Sequence, residues 1–320
     1  MTRLIAAALA LVACVGSSNV GAFPDKPVRF VVGFTPGGPS DILARALGQK
    51  LAERWVQQVL IDNRPGAGGN LAAEIVAKSG PDGHTWLLGN NSILATNQSL
   101  YRRLNYDPVK DFAPVALVAT QPNILVVHPS LPVRSVAELI SFASKNPGKL
   151  NYASSGSGAA AHLAGELFKA MAGVDMVHVP YKGAQPALTD VISGQVQVIF
   201  ATSASVVPYV KAARLRALAV TTAQRSALMP ELPTMSEAGV PGFEAATWHG
   251  VVVPAATPGA LIGFLNEEIN FVLKQPELRE RLAGLGAEVA GGTPKEFADY
   301  IAREIPKWAK VVRDSGARAE

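Results

Sequence analysis

The chain has 320 residues, 29 Lys and Arg against 25 Asp and Glu, a formal charge of +4 at pH 7, and 48% apolar against 17% charged residues. That balance predicts a packed core, excludes a disordered chain, and leaves room for two domains. The basic residues are scattered, with no run of four, and aromatics are few, so the clustered basic face of a nucleic-acid binder is not expected.

The first 22 residues stand apart. Arg3 precedes the apolar run "LIAAALALVACV", and "SSNVGA" follows, ending on the small residue Ala22. This order predicts a secretory signal cleaved after Ala22, and the run is too short for a permanent bilayer anchor. The only cysteine, Cys14, lies inside it. "LVAC" also resembles a lipoprotein cleavage box, a second option that would lipidate Cys14. Cleavage after Ala22 leaves no cysteine, hence no disulfide or thiolate chemistry.

Beyond the leader, one unit recurs: strand, small-residue turn, helix. It appears as "VRFVVGFTPGGPSDILARALGQKL" and again as "VLIDNRPGAGGNLAAEIVAKSG", which leads to the strand "HTWLLG". "FAPVALVAT" and "ILVVHP" follow, then "LNYASSGSGAAAHLAGELFKAM" and "VHVPYKGAQPALTDVISGQVQVIFA". "LRALAV" is a further strand, and "GVVVPAATPGALIGFLNEEINFVL" runs from strand into helix, with Thr257 as N-cap and Pro258 at the first helical position. Helical spacing places Leu43, Leu47 and Leu51 on one face, Leu163, Leu167 and Met171 on another, and Leu261, Leu265 and Val272 on a third. A last amphipathic helix carries Phe297, Ile301, Ile305 and Trp308, with Pro306 expected to bend it or start it afresh. The alternation predicts α/β architecture with largely parallel sheets. Each half opens with strand, Gly-rich turn and helix, which predicts two similar domains, with a hinge near Val118 to Asn123 and a return near Gly242 to Gly250.

In such sheets ligands bind at the carboxyl ends of strands, beside helix N-termini. The first-turn amides there lack intrahelical acceptors and carry partial positive charge, so they attract anions. In "FTPGGPSD", Gly37 and Gly38 admit a ligand, and Ser40 caps the helix or donates a hydrogen bond. Asp41 either pairs with Arg45 one helical turn on or faces the cleft to meet a ligand's ammonium or hydroxyl. In "YASSGSGAAAH", Ser154, Ser155 and Ser157 are donors, while Gly156 and Gly158 allow backbone approach. Neither turn holds Lys or Arg, which points to a small anion such as a carboxylate rather than a clamped phosphate.

Enzyme signatures are weak. There is no G-x-S-x-G elbow and no P-loop. The five histidines, at 84, 128, 162, 178 and 249, show no metal-ligand spacing. "GSGAAA" loosely matches a dinucleotide fingerprint, but Asp175 precedes its strand rather than ending it. No metal or cofactor is expected. A secreted hydrolase using Ser155 or Ser157 with His162 is one alternative; a ligand sensor for a membrane receptor kinase is another.

Together, "FVVGFTPGGPSDILARAL", "NRPGAGGNLAAEIVAKSGPDGHTWLLG", "NYASSGSGAAAHLAGELFKAMAGVDMVHVPYKGAQPALTDVISGQVQVIF" and "PELPTMSEAGVPGFEAATWHGVVVPAATP" resemble the substrate-binding proteins of tripartite tricarboxylate transporters, the Bug receptors. The resemblance runs in order along almost the whole mature chain. It implies a two-domain periplasmic-binding-protein fold of type II character, each domain a mixed, mostly parallel sheet flanked by helices, closing like a flytrap on a ligand between them. The expected division is a signal at 1–22, a first domain of 23–122 plus 248–320, and a second of 123–247. The resemblance implies a non-enzymatic, monomeric periplasmic receptor that hands a small carboxylate to membrane transporter subunits. The carboxylate would be a di- or tricarboxylate, an acidic amino acid or an aromatic acid. In relatives the two turns hold the carboxylate, which here adds Phe34, Thr35 and Ala159 to the residues above. Tyr181 and Gly183 of "PYKG", with Ala201 and Thr202 at a strand end, would line the second wall. Relatives often have Ala-Thr before the first-turn Asp; here Pro39 and Ser40 stand there, and Pro39 removes one N–H donor.

Overall fold

A computed structural model describes residues 23–156, 158–181, 184–284 and 286–319; the expected leader, with Cys14, lies outside the described residues. The strands, in chain order, are β1 (Val28–Val32), β2 (Val59–Asn63), β3 (Thr85–Asn90), β4 (Phe112–Gln121), β5 (Asn123–Val127) and β6 (Asn151–Ser154). They continue with β7 (Val177–Pro180), β8 (Val198–Thr202), β9 (Arg216–Val220), β10 (Thr247–Pro254) and β11 (Glu288–Gly291). The helices are α1 (Pro39–Trp55), α2 (Asn70–Ala77), α3 (Asn97–Leu100), α4 (Val136–Lys145) and α5 (Ala160–Ala172). After them come α6 (Ala184–Ile192), α7 (Ser203–Lys211), α8 (Gly259–Leu273), α9 (Pro276–Gly284) and α10 (Pro294–Ser315).

The strands form two sheets, ordered β11-β4-β10-β3-β1-β2 and β7-β6-β8-β5-β9. Between the named strands, parallel pairing is confined to β3-β1-β2 in the first and β7-β6-β8 in the second. These are the strand–turn–helix units, whose crossovers demand parallel return. The remaining strands pair antiparallel. The chain leaves the first sheet at Gln121 and enters the second at Asn123, across Pro122 alone. It returns through β10, whose Thr247 lies opposite Gln121.

Strand alternation sorts the core. From β10, Val251 and Val253 face the cluster under α1 and α8, while Trp248 and Val252 face the cluster under α10. That second cluster contains residues from both sheets, from Val31 and Leu87 to Leu125 and Tyr152. So α10 packs against both lobes, touching α5 of the second. It starts with a capping box between Thr293 and Glu296 and runs unbroken through Pro306. The expected restart is absent. The carbonyl four residues earlier belongs to Ala302, which is exposed, so water can take the bond the proline ring cannot supply.

Two further expectations need correcting. Met171 is 40% exposed and does not continue the buried face of Leu163 and Leu167, because α5 ends at Ala172 with Gly173 as a left-handed cap. Thr257 does not cap α8: its hydroxyl donates to the Pro254 carbonyl at 2.7 Å, and Pro258 occupies the N-cap position.

Candidate functional site

β1 ends in the turn that feeds α1. Gly38 is the N-cap, in ordinary extended backbone, and Pro39 follows as the first helical residue. No side chain caps this helix, so its first free amides stay available. Thr35 and Gly37 are exposed, Phe34 and Gly38 half-buried, and Ser40 and Asp41 buried. Asp41 does pair with Arg45, at 3.0 Å, and its Oδ2 also accepts the Gly37 amide at 2.9 Å. Burial pushes the Asp41 carboxyl up, but the Arg45 and Gly37 hydrogen bonds outweigh it and hold the group below the usual carboxylate range. Its buried Oδ1 has no partner among the described residues. Ser40 Oγ lies 2.9 Å from His249 Nε2 on β10.

The first turn rests on a second Gly-rich turn and an irregular segment. A Cβ on Gly33 would lie 2.8 Å from Gly69 Cα, and one on Gly69 would lie 2.7 Å from Ile93 Cδ1. Ile93 belongs to a π-type turn, Ser92–Thr96, that leads directly into α3. Asn97 donates to the Gly68 carbonyl at 3.2 Å, tying that segment to the turn before α2. Such π-type turns often mark functional sites.

In the second lobe, β6 ends at Ser154 and the turn feeds α5, which also lacks a side-chain cap. Ser155, Gly156 and Ala159 are half-buried; Ser154, Gly158 and His162 are buried. Ser157 lies outside the described residues. Ser154 Oγ is 2.6 Å from His178 Nε2, 3.0 Å from the Gly156 carbonyl and 3.1 Å from the Gly156 amide. Its single proton goes to the carbonyl when His178 donates from Nε2, and the set is then complete. His162 Nδ1 accepts the Gly158 amide at 2.9 Å, so that nitrogen is not a base for a serine. His162, His178 and Tyr152 stack, with the two imidazole centroids 3.9 Å apart. Burial, aided by His162, lowers His178 to about 4, and burial also lowers His162. Burial alone lowers His249 to about 4.

The first turn follows a strand of one sheet and the second a strand of the other, and the second turn packs on α3. A Cβ on Gly158 would lie 2.4 Å from Leu100 Cδ2 at the end of α3. Tyr181, half-buried, donates to Asp190 at 2.6 Å, and its amide bonds the Ser154 carbonyl at 3.0 Å. Gly183 lies outside the described residues. Ala201 and Thr202, half-buried, end β8; Thr202 pairs with Asn123 and is the N-cap of α7. Sequence reasoning missed His249, His178 and the segment from Ser92 to Leu100. "TWHG" drew attention only as a return strand, and nothing in its spacing linked His249 to Ser40. Among the described residues, no cluster of three or more His, Asp or Glu could hold a metal ion.

Two mixed sheets of matching order, each presenting an uncapped helix N-terminus beside the junction of the lobes, define a two-lobed binding protein. Residues 43–317 match the family described as the tripartite tricarboxylate transporter family receptor, TctC, and the chain belongs to that family. It is 36% identical over 322 residues to protein BugT of Bordetella pertussis, covering 99% of both chains. It resembles the structure of Rhodopseudomonas palustris Rpa4515 with adipate (42% identity, TM-score 0.79, 92% of this chain and 99% of that one). It also resembles MatC of the same organism with bound malate (34% identity, TM-score 0.75, 91% of this chain and 100% of that one).

Proposed function

We propose that this protein is a periplasmic receptor that captures a small carboxylate between its two Gly-rich turns and presents it to the membrane subunits of a tripartite tricarboxylate-type transporter. The observation that carries this reading is the pair of helix N-termini, α1 and α5, both without a side-chain cap. Each offers free amides to an anion. Adipate and malate in the two similar structures support the same ligand class. The site comprises Phe34 to Asp41, Ser154 to Ala159, His162, Tyr181, Gly183, Ala201 and Thr202. Asp41 Oδ1 meets a second polar group of the ligand. The lobes are 23–122 with 248–320, and 123–247; residues 1–22 are the export signal. The protein acts as a monomer and performs no catalysis, a reading supported by the engaged Ser154 hydroxyl and the engaged His162 Nδ1.

Thermal melting of protein refolded to strip bound ligand, against dicarboxylates, tricarboxylates, acidic amino acids and aromatic acids, tests this. A ligand at 100 times its dissociation constant adds about 2.7 kcal/mol, a clear upward shift. A flat panel with folded protein overturns the carboxylate reading.

A further inference from the structure

We infer that His249, a residue outside the two turns, sets the Ser40 hydroxyl as a hydrogen-bond donor aimed at the ligand's carboxylate. The inference rests on the carboxylate-receptor reading and deepens it.

Ser40 Oγ has one partner among the described residues, His249 Nε2 at 2.9 Å. Ser40 is the second residue of α1, so its hydroxyl stands beside the free amides of the helix N-terminus. His249 is 2% exposed, and its Nδ1 has no partner. Neutral imidazole carries one proton, on one nitrogen or the other. If Nδ1 held it, Ser40 would donate to Nε2 and a buried N–H would be orphaned. If Nε2 holds it, only a bare acceptor is left over. Buried orphan N–H groups are the rarer of the two. The favoured arrangement is therefore Nε2–H donating to Ser40 Oγ. A hydroxyl that accepts this bond still has its own proton to give, and no acceptor for it exists within hydrogen-bond reach among the described residues.

The strand position makes this specific. His249 shares its face of β10 with Val251 and Val253, which pack in the apolar cluster of Leu43 and Leu47 from α1. A buried polar ring in that row is unexplained by packing alone. In the turn of the second lobe, the Ser154 proton has an acceptor close by, the Gly156 carbonyl at 3.0 Å. Of the two serines, Ser40 alone has a proton left for an anion. Pro39 contributes no N–H, so this hydroxyl also replaces a donor that the turn gave up.

Two measurements test it. Imidazole nitrogen NMR of 15N-histidine protein without ligand, assigned by the signal lost in His249→Gln or His249→Phe, whichever folds, reads the tautomer; Nε2–H is expected at pH 7. Calorimetry with adipate and malate as probes then reads the consequence. His249→Phe should weaken binding roughly tenfold, the scale of one hydrogen bond to a charged group. His249→Gln, which can still donate, should recover part of the loss. In a Ser40→Ala background the His249→Phe change should cost nothing further. An Nδ1–H signal overturns the inference even where the Phe variant does not fold. So does unchanged affinity in a folded His249→Phe, or a loss that persists without Ser40. If the wild-type protein binds no carboxylate at all, the receptor reading fails and the inference falls with it; tight wild-type binding with no effect of His249 overturns the inference alone.

Discussion

A serine–histidine pair accompanies each of the two helix N-termini, and the two are wired differently. Ser154 and His178 form a closed set, because the Gly156 carbonyl and amide complete the serine's bonding. Ser40 and His249 form an open one, because among the described residues the serine proton has no acceptor left and His249 Nδ1 has no partner. The first turn also holds a charge pair between buried Asp41 and exposed Arg45, where the second holds a stack of neutral rings. The Ser154–His178 set thus holds its own shape, while the Ser40–His249 pair leaves polar groups that a ligand can complete. On the proposed receptor reading, the Ser154–His178 set is a fixed wall and the Ser40–His249 pair is the reader of the ligand.

The strongest way to break this contrast is Gly158→Val. Gly158 has φ +78° and its Cβ position clashes with Leu100 Cδ2, so the lobes should fail to close. Calorimetry should show about a 100-fold or greater loss of affinity for the acid that responds in the melting panel. Next is Asp41→Ala, which leaves the Gly37 amide and Arg45 without their acceptor. Chemical denaturation should show a loss of about 2 kcal/mol, absent in acid. The Asp41 carboxyl titrates lower in the fold than in the unfolded chain. Its stabilisation is therefore present above the unfolded value near 3.8 and disappears as pH falls through the folded one. Gly38→Val should come third, because Gly38 has an ordinary φ of −77° and its Cβ meets only the Thr35 carbonyl, at 3.4 Å. The unliganded protein should melt normally, while affinity drops about tenfold from the bulk placed in the anion site.

The smallest effect at neutral pH belongs to His178→Gln. In the unfolded chain the imidazole titrates near 6.5, in the fold near 4. Between those values the unfolded state binds more protons, so stability falls as pH drops through the window and is level above it. His162 is shifted the same way, Glu166 opposes both shifts, and Lys169 supports them. The variant should match wild type at pH 7.5 and lose part of the acid slope in melting temperature between pH 6.5 and 4.

Both turns were legible because strand, Gly-rich turn and helix are consecutive in the chain. Leu43, Leu47 and Leu51, predicted by spacing alone, are all buried. What was illegible depends on distant pairing. Ser40 and His249 are 209 positions apart, and no local pattern can announce a bond between elements so distant in the chain. β11 has only four residues, too few to show alternation against its Gly-rich surroundings. The π-type turn at Ser92–Thr96 reads as an ordinary apolar stretch, since its geometry comes from packing against Gly69. Thr257 looked like a cap because it precedes a proline, but its hydroxyl turns back to the strand end.

One carboxylate on α10 gives the protein an optical use. Trp248, on the strand that re-enters the first lobe, and Trp308, on α10, donate to the same oxygen, Glu304 Oε2, at 3.1 and 2.8 Å. Lys307 pairs with that carboxylate and also donates to the Glu244 carbonyl just before the strand. A rotation of the lobes about this strand is expected to reach this group through Lys307, which holds the Glu244 carbonyl of the second lobe. The colour of the intrinsic fluorescence thus becomes a label-free gauge of closure, and replacing Glu304 with Gln should blunt it.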